Sequence, residues 1–279
     1  ESSKRGAIAT LIRSVGTDSH RFPHTGQTSY EGATKKIPIA ALSAPDADQL
    51  KRSLSRSKVK LELKIQVRTK GSRTSGNVIG EIPGQTKKIV LAGAHLDSWD
   101  LGTGAVDDGA GVDIVMGAGK IIINSKIKPK HTIRVVLFGS EEVGLIGAID
   151  YAKTHKNELS QHLVAVESDF GANKIWKLDT NFAKSALPFA TDMQRVLKQI
   201  GVEPGHNKAY GGPDLIPLLK MGVPVATLKQ DGWDYFDLHH TADDTFDKIK
   251  PEHIAQNIAA YSAFLWMTAN TNETLRASK

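Results

Sequence analysis

The chain of 279 residues contains no cysteine. Thiolate catalysis, disulfide bridges and Cys-ligated zinc are therefore excluded. The absence fixes no compartment, because an oxidising environment permits disulfides without demanding them. The sequence also lacks any apolar run of roughly 18 residues, the length a membrane-spanning helix needs. No secretory leader is visible. The chain starts at Glu1 rather than Met, which reads as a trimmed or processed chain, so the missing leader does not count toward the cytoplasm; a secreted or periplasmic location is expected. Acidic residues are in the minority, 30 against 36 Lys and Arg, for a net charge of +6. The densest basic run, Lys51 to Lys70, has no nucleic-acid motif beside it. It reads as a solvated basic face, and no nucleic-acid partner is expected.

What is present is an ordinary globular composition, 40% hydrophobic and 24% charged. Its length suits one large α/β domain, alone or with part of a second. Residues 1–70 read as a first unit. Ala7 to Ile12 and Ile37 to Leu42 are short apolar strands, separated by a loop over 13–34 rich in Gly, Ser, Thr, His and Pro. Pro45 opens a helix running to about Arg56. Val59 to Val67 alternates apolar and polar residues, the mark of a half-buried strand. From about Ser75 the texture changes. Apolar strands at Lys88–Ala94, Thr132–Phe138, His162–Val166 and Pro224–Leu228 alternate with helices at Gly109–Asn124, Gly144–His155, Ala186–Ile200 and Pro251–Asn270. That alternation predicts an α/β fold with a mixed, mostly parallel central sheet flanked by helices.

Ligands of such sheets bind at the carboxyl ends of the strands. There the sequence places His95-Leu-Asp97, Asp107-Asp108, Glu141-Glu142 and Glu167-Ser-Asp169, and a late loop carries His239-His240. Each has a plain structural reading: a hydrogen-bonded loop histidine, a helix N-cap, an acidic first helical turn, a loop pair. Converging on one rim, so many carboxylates would repel one another strongly without cations to neutralise them. Mixed imidazole and carboxylate donors suit zinc, with cobalt or manganese as substitutes. Two zinc ions roughly 3.5–4 Å apart share a bridging carboxylate and a bridging water. His95, His240, Asp107, Glu142, Asp169 and Glu141 supply two imidazoles, three ligating carboxylates and one spare carboxylate to take the water's proton.

The ordered set Gly93-Ala-His-Leu-Asp-Ser, Asp107-Asp-Gly-Ala-Gly, Glu141-Glu-Val-Gly-Leu-Ile-Gly and His240-Thr-Ala-Asp-Asp-Thr resembles the motif series of the M28 zinc peptidases. The likeness is strongest to the plasma glutamate carboxypeptidase branch. It extends to Glu167-Ser-Asp-Phe-Gly, Gly211-Gly-Pro-Asp, Asp231-Gly-Trp-Asp-Tyr-Phe-Asp and Pro23-His-Thr-Gly. The resemblance implies a terminal ligand at His95 and a bridging carboxylate at Asp107, joined to Asp108 by a cis peptide. It implies a general base at Glu141, ligands at Glu142, Asp169 and His240, and an acid at Asp97 that orients His95. Glu167, two residues before Asp169, could compete for the metal, and His239 could be mistaken for His240. Tyr210, Asp214 and the Gly211-Gly212 backbone are candidate substrate contacts, although a simple turn explains Tyr210 to Pro213 equally well. The resemblance further implies a partial protease-associated domain over 1–70 and a catalytic domain over 71–279. The function it implies is a di-zinc exopeptidase acting on dipeptides or short peptides, preferentially from a free amino end. A carboxypeptidase, a receptor-like binding module on this fold and a glutaminyl-cyclase-like acyl transferase are the competing readings. A homodimer is left open.

Overall fold

In the computed structural model the residues described are 1–33, 35–68 and 70–277. Thr34 and Thr69, which belong to the expected loop and to the basic run, lie outside the described residues. The chain divides into two compact units: residues 1–74, 99–103 and 233–244 form the first, and 75–98, 104–232 and 245–279 the second.

In the first unit, β1 (Thr10–Arg13) and β2 (Ile39–Leu42) pair in parallel. Helix α1 (Ala44–Leu54) follows at once. Its first turn is closed by Ser43, whose hydroxyl accepts from the Asp46 amide at 3.2 Å, with Pro45 in the first turn. A short helix, α6 (Tyr235–Leu238), closes the unit's late segment. The alternating stretch 59–67 is not the strand its pattern predicts. It forms no ladder among the described residues, and Leu61, Leu63, Ile65 and Val67 are 40–83% exposed. Alternation buries one face only when a neighbouring strand and a core are there to cover it.

The second unit holds a seven-stranded sheet in the order β3-β5-β4-β6-β9-β7-β8. The strands are β3 (Val78–Ile82), β4 (Thr86–His95), β5 (His131–Phe138), β6 (His162–Glu167), β7 (Ile175–Thr180), β8 (Glu203–Pro204) and β9 (Val225–Gln230). The central pairs β5-β4, β4-β6 and β6-β9 are parallel, while β3 and β7 run antiparallel to their neighbours β5 and β9. The helices are α2 (Ala110–Asn124), α3 (Ile146–Thr154), α4 (Leu187–Leu197), α5 (Ile216–Lys220) and α7 (Pro251–Asn270).

The apolar run in β4 explains the layers. Successive strand residues face opposite ways. Val90, Ala92 and Ala94 join a core with Ile114, Val115 and Ala118 of α2 and Tyr261, Phe264 and Leu265 of α7. Leu91 joins a second core with Val136 and Phe138 of β5, Ala148 and Tyr151 of α3 and Leu218 of α5. A strand covered on both faces must be apolar throughout, and Ile89 to Ala94 are all buried. Each large aliphatic side chain so buried contributes about 1.5–3 kcal/mol of transfer free energy. Helices α2 and α7 approach closely at Gly117, where a Cβ would meet Ile258 Cδ1 at 2.7 Å. None of the described helices is long and apolar enough to cross a membrane.

Candidate metal centre

Parallel strands β4, β5 and β6 all end on the same side, and each delivers chemistry there. His95 closes β4, the Glu141-Glu142 turn follows β5, and Glu167 closes β6 two residues before Asp169. His95 is 1% exposed. Its Nδ1–H donates to the Asp97 carbonyl at 2.9 Å, which turns Nε2 toward Asp107 Oδ1 at 3.1 Å and Asp169 Oδ1 at 3.5 Å. A backbone carbonyl on the distal nitrogen is a usual way to fix the tautomer of a ligating imidazole. Burial disfavours the imidazolium, but the Asp107 and Asp169 carboxylates outweigh burial and hold His95 well above the ordinary histidine range.

Asp97 has a second task. Its carboxylate accepts the backbone amides of Glu141 at 2.9 Å and Glu142 at 3.2 Å. The orienting contact to His95 comes from the Asp97 carbonyl, while the carboxylate stays 3.9 Å from Nδ1.

Asp107 and Asp108 do not start a regular helix. They lie in a π-type turn over Ala105–Gly109 with a cis peptide between them, and α2 begins at Ala110. Asp108 is buried and structural on both sides: its carboxylate accepts from the His95 amide at 2.9 Å and the Gly111 amide at 3.2 Å. Sequence reading gave Asp108 no role of its own, since a second aspartate beside a ligand looks like part of the same turn.

His95, Asp107 and Glu142 each offer a donor atom within 4.8 Å of the others, as do His95, Asp108 and Asp169. Within this unit Asp169 therefore neighbours His95. Among the described residues, Asp108, Glu141, Glu167, Asp169 and Asp214 make no ion pair with lysine or arginine. Burial and then neighbouring negative charge push their carboxyls up: Glu141 to about 8, Asp214 to about 7, and Asp108, Glu167 and Asp169 above the ordinary range. Buried oxygen and imidazole donors with uncompensated negative charge fit hard or borderline divalent cations.

Beside Asp169 opens a cavity of about 240 Å³. Gly211, Gly212 and Tyr210 line it, with Tyr210 55% exposed on its rim. Gly212 cannot carry a side chain, because a Cβ there would lie 2.0 Å from Glu167 Oε2. Asp214 does not line the cavity. It is fully buried beneath, its amide donating to Glu167 Oε1 at 3.3 Å, and neither of its carboxylate oxygens nor Glu167 Oε2 has a hydrogen-bond partner among the described residues. Sequence reading missed Phe170, Asp179, His206, Lys208 and Lys229, which also line it. The one available signal was that Lys208 lies two residues from Tyr210.

His239 and His240 belong to the first unit. His240 Nδ1–H donates to the Thr25 carbonyl at 3.0 Å, and its ring stacks on Trp99 with centroids 4.8 Å apart. His239 Nδ1 instead lies 2.7 Å from His24 Nε2. The Pro23-His-Thr-Gly segment thus fixes the orientation of the His240 ring.

A family model described as Peptidase family M28 matches residues 77–265. The chain is 34% identical over its whole length to carboxypeptidase Q of Pongo abelii, of which it covers 59%. A crystal structure of a peptidase M28 precursor from Shewanella amazonensis superposes with a TM-score of 0.92 at 51% identity, over 98% of this chain and 63% of that one. The zinc aminopeptidase BSAP from Bacillus subtilis shares the fold, with a TM-score of 0.63 at 19% identity over 99% of this chain and 68% of that one. The chain spans about 59% of the length of the curated carboxypeptidase Q relatives it matches.

Proposed function

The chain belongs to peptidase family M28, and from that premise we propose that it is a two-zinc exopeptidase that hydrolyses the terminal peptide bond of dipeptides or short peptides from a free amino end. The observation that carries this reading is the crowd of buried, mutually repelling carboxylates around the imidazole of His95. His95, Asp107, Glu142, Asp169 and His240 hold the metals, with residues 71–279 as the catalytic domain and 1–70 as part of a protease-associated domain. Zinc, when bound there, supplies a Lewis acid for the scissile carbonyl and lowers the pKa of water.

The chain's own groups do the rest. Glu141 takes the proton of the attacking water on a carboxylate oxygen. It passes that proton to the amine nitrogen as the C–N bond breaks. Asp97 holds Glu141 and its neighbour Glu142 by their amides, so the base and a ligand keep separate directions. An acidic wall formed by Glu167 and Asp169 suits the ammonium of a free amino end. The test is zinc content together with hydrolysis of Ala-Leu and leucine arylamide, with and without chelator. Two zinc ions per chain and chelator-sensitive release of the amino-terminal residue are expected. Metal-independent turnover, or no zinc uptake, would refute the reading.

A further inference from the structure

The lining of the cavity beside Asp169 carries both signs of charge. Glu167, Asp169 and Asp179 supply carboxylates. His206, Lys208 and Lys229 supply basic side chains, His206 Nδ1 lying 3.5 Å from Asp179 Oδ1. Asp179 is already compensated: its Oδ1 accepts the His206 amide at 2.9 Å, and its Oδ2 lies 3.6 Å from Lys177 Nζ. Lys208 and Lys229 are exposed and make no ion pair among the described residues. The lining also includes Phe170 and Ala209. The cavity thus joins buried carboxylates, an aromatic ring and two exposed, unpaired lysines in one lining. At about 240 Å³ it falls below the roughly 300–1,000 Å³ of sites for drug-sized ligands, and is sized for one side chain.

We propose that this cavity selects an amino-terminal residue whose side chain has a short apolar stem and an anionic tip, with Lys208 and Lys229 as the specificity-determining residues. The inference rests on the exopeptidase reading above and adds the substrate class. The ammonium of such a residue faces Glu167 and Asp169, where negative charge belongs. Its side-chain methylenes lie along Phe170, and its carboxylate reaches Lys208 and Lys229. A lysine or arginine side chain in the same cavity would bring like charge against those two.

The test compares Glu-Ala with Gln-Ala, which match in shape and differ in charge, on the whole zinc-loaded chain. Exposed ion pairs of this kind change an equilibrium by up to about fivefold each. A Glu-over-Gln ratio in kcat/KM of roughly three to ten is expected, shrinking toward one as salt is raised. Lys208→Glu with Lys229→Glu should invert the ratio and favour Lys-Ala, while Lys208→Arg with Lys229→Arg should keep it. A ratio of one or less in the unmodified chain, or a ratio unmoved by the charge reversal, overturns the proposal. Gln-Ala amide separates a rival use of the lysines. If amidation abolishes turnover while Glu-Ala and Gln-Ala are equal, the lysines receive a terminal carboxylate, and the proposal fails. Hydrolysis of neither dipeptide would overturn the exopeptidase reading itself, and this inference with it. Circular dichroism of the charge-reversed chain checks that a lost ratio is not lost folding.

Discussion

Replacing Glu141 by Gln exchanges one carboxylate oxygen for an amide nitrogen and leaves the shape alone. The structure says what survives. The Glu141 amide, not its side chain, is what Asp97 accepts at 2.9 Å, so the turn and its neighbour Glu142 keep their anchor. Among the described residues the Glu141 side chain makes no ion pair, so none is broken. In the metal-free chain its carboxyl is pushed up to about 8 by burial and by Asp169, so at neutral pH it is mostly protonated and an amide imitates it well. Folding and metal uptake should therefore match the unmodified chain. What disappears is the ability to accept a proton. A positioned general base contributes about 10²–10⁴-fold, or roughly 3–5 kcal/mol of barrier. Glu141→Gln should lower kcat by that factor with KM little changed, read by steady-state hydrolysis of Ala-Leu alongside metal analysis of the same sample. Two bound zinc ions with turnover within threefold of the unmodified enzyme would refute the assignment of the base.

Further outcomes follow from the same geometry. With chelator present, stability should fall as pH rises from about 4.5 to 8. The folded carboxyls of Glu141 and Asp214 are raised to about 8 and about 7, so the folded state holds protons the unfolded one has released. Saturating zinc should flatten that slope, and thermal melts at several pH values with and without chelator would show it. Gly212→Ala should destabilise by about 2–4 kcal/mol, because the new Cβ would sit 2.0 Å from Glu167 Oε2; an unchanged melting temperature would contradict this packing. Leu91→Ala, at a fully buried site between β5, α3 and α5, should cost about 2–5 kcal/mol in urea unfolding.

Elements defined by their own chemistry were legible in the sequence. The closing helix was read at Pro251–Asn270 and stands there, because a proline suits the first helical turn and apolar residues recur along it. Strand β4 was legible because a strand covered on both faces has to be apolar throughout. Strand β7 was not, since Lys177 and Asp179 interrupt its apolar residues and its antiparallel place beside β9 is a tertiary fact. Residues 59–67 failed the opposite way: the pattern is present and the pairing is absent among the described residues. At the site, ligand types and spacing singled out His95, Asp107, Glu142, Asp169 and His240; donor atoms of His95, Asp107 and Glu142 lie within 4.8 Å of one another, and Asp169 Oδ1 lies 3.5 Å from His95 Nε2. Lys208 and Lys229 gave no comparable signal, because exposed lysines are common and only the cavity distinguishes these two. The burial of Asp214 was equally invisible, since it follows from how Gly212 packs on Glu167.

Asp97 touches three partners at once through its carbonyl and its two carboxylate oxygens. Any shift of the turn after β5 is therefore felt at the imidazole that closes β4. The spacing between Glu141, Glu142 and His95 is set by one short side chain rather than by two independent loops. Grafting this cluster onto another scaffold would thus require moving Asp97 with it, and shortening or lengthening that residue would displace all three together.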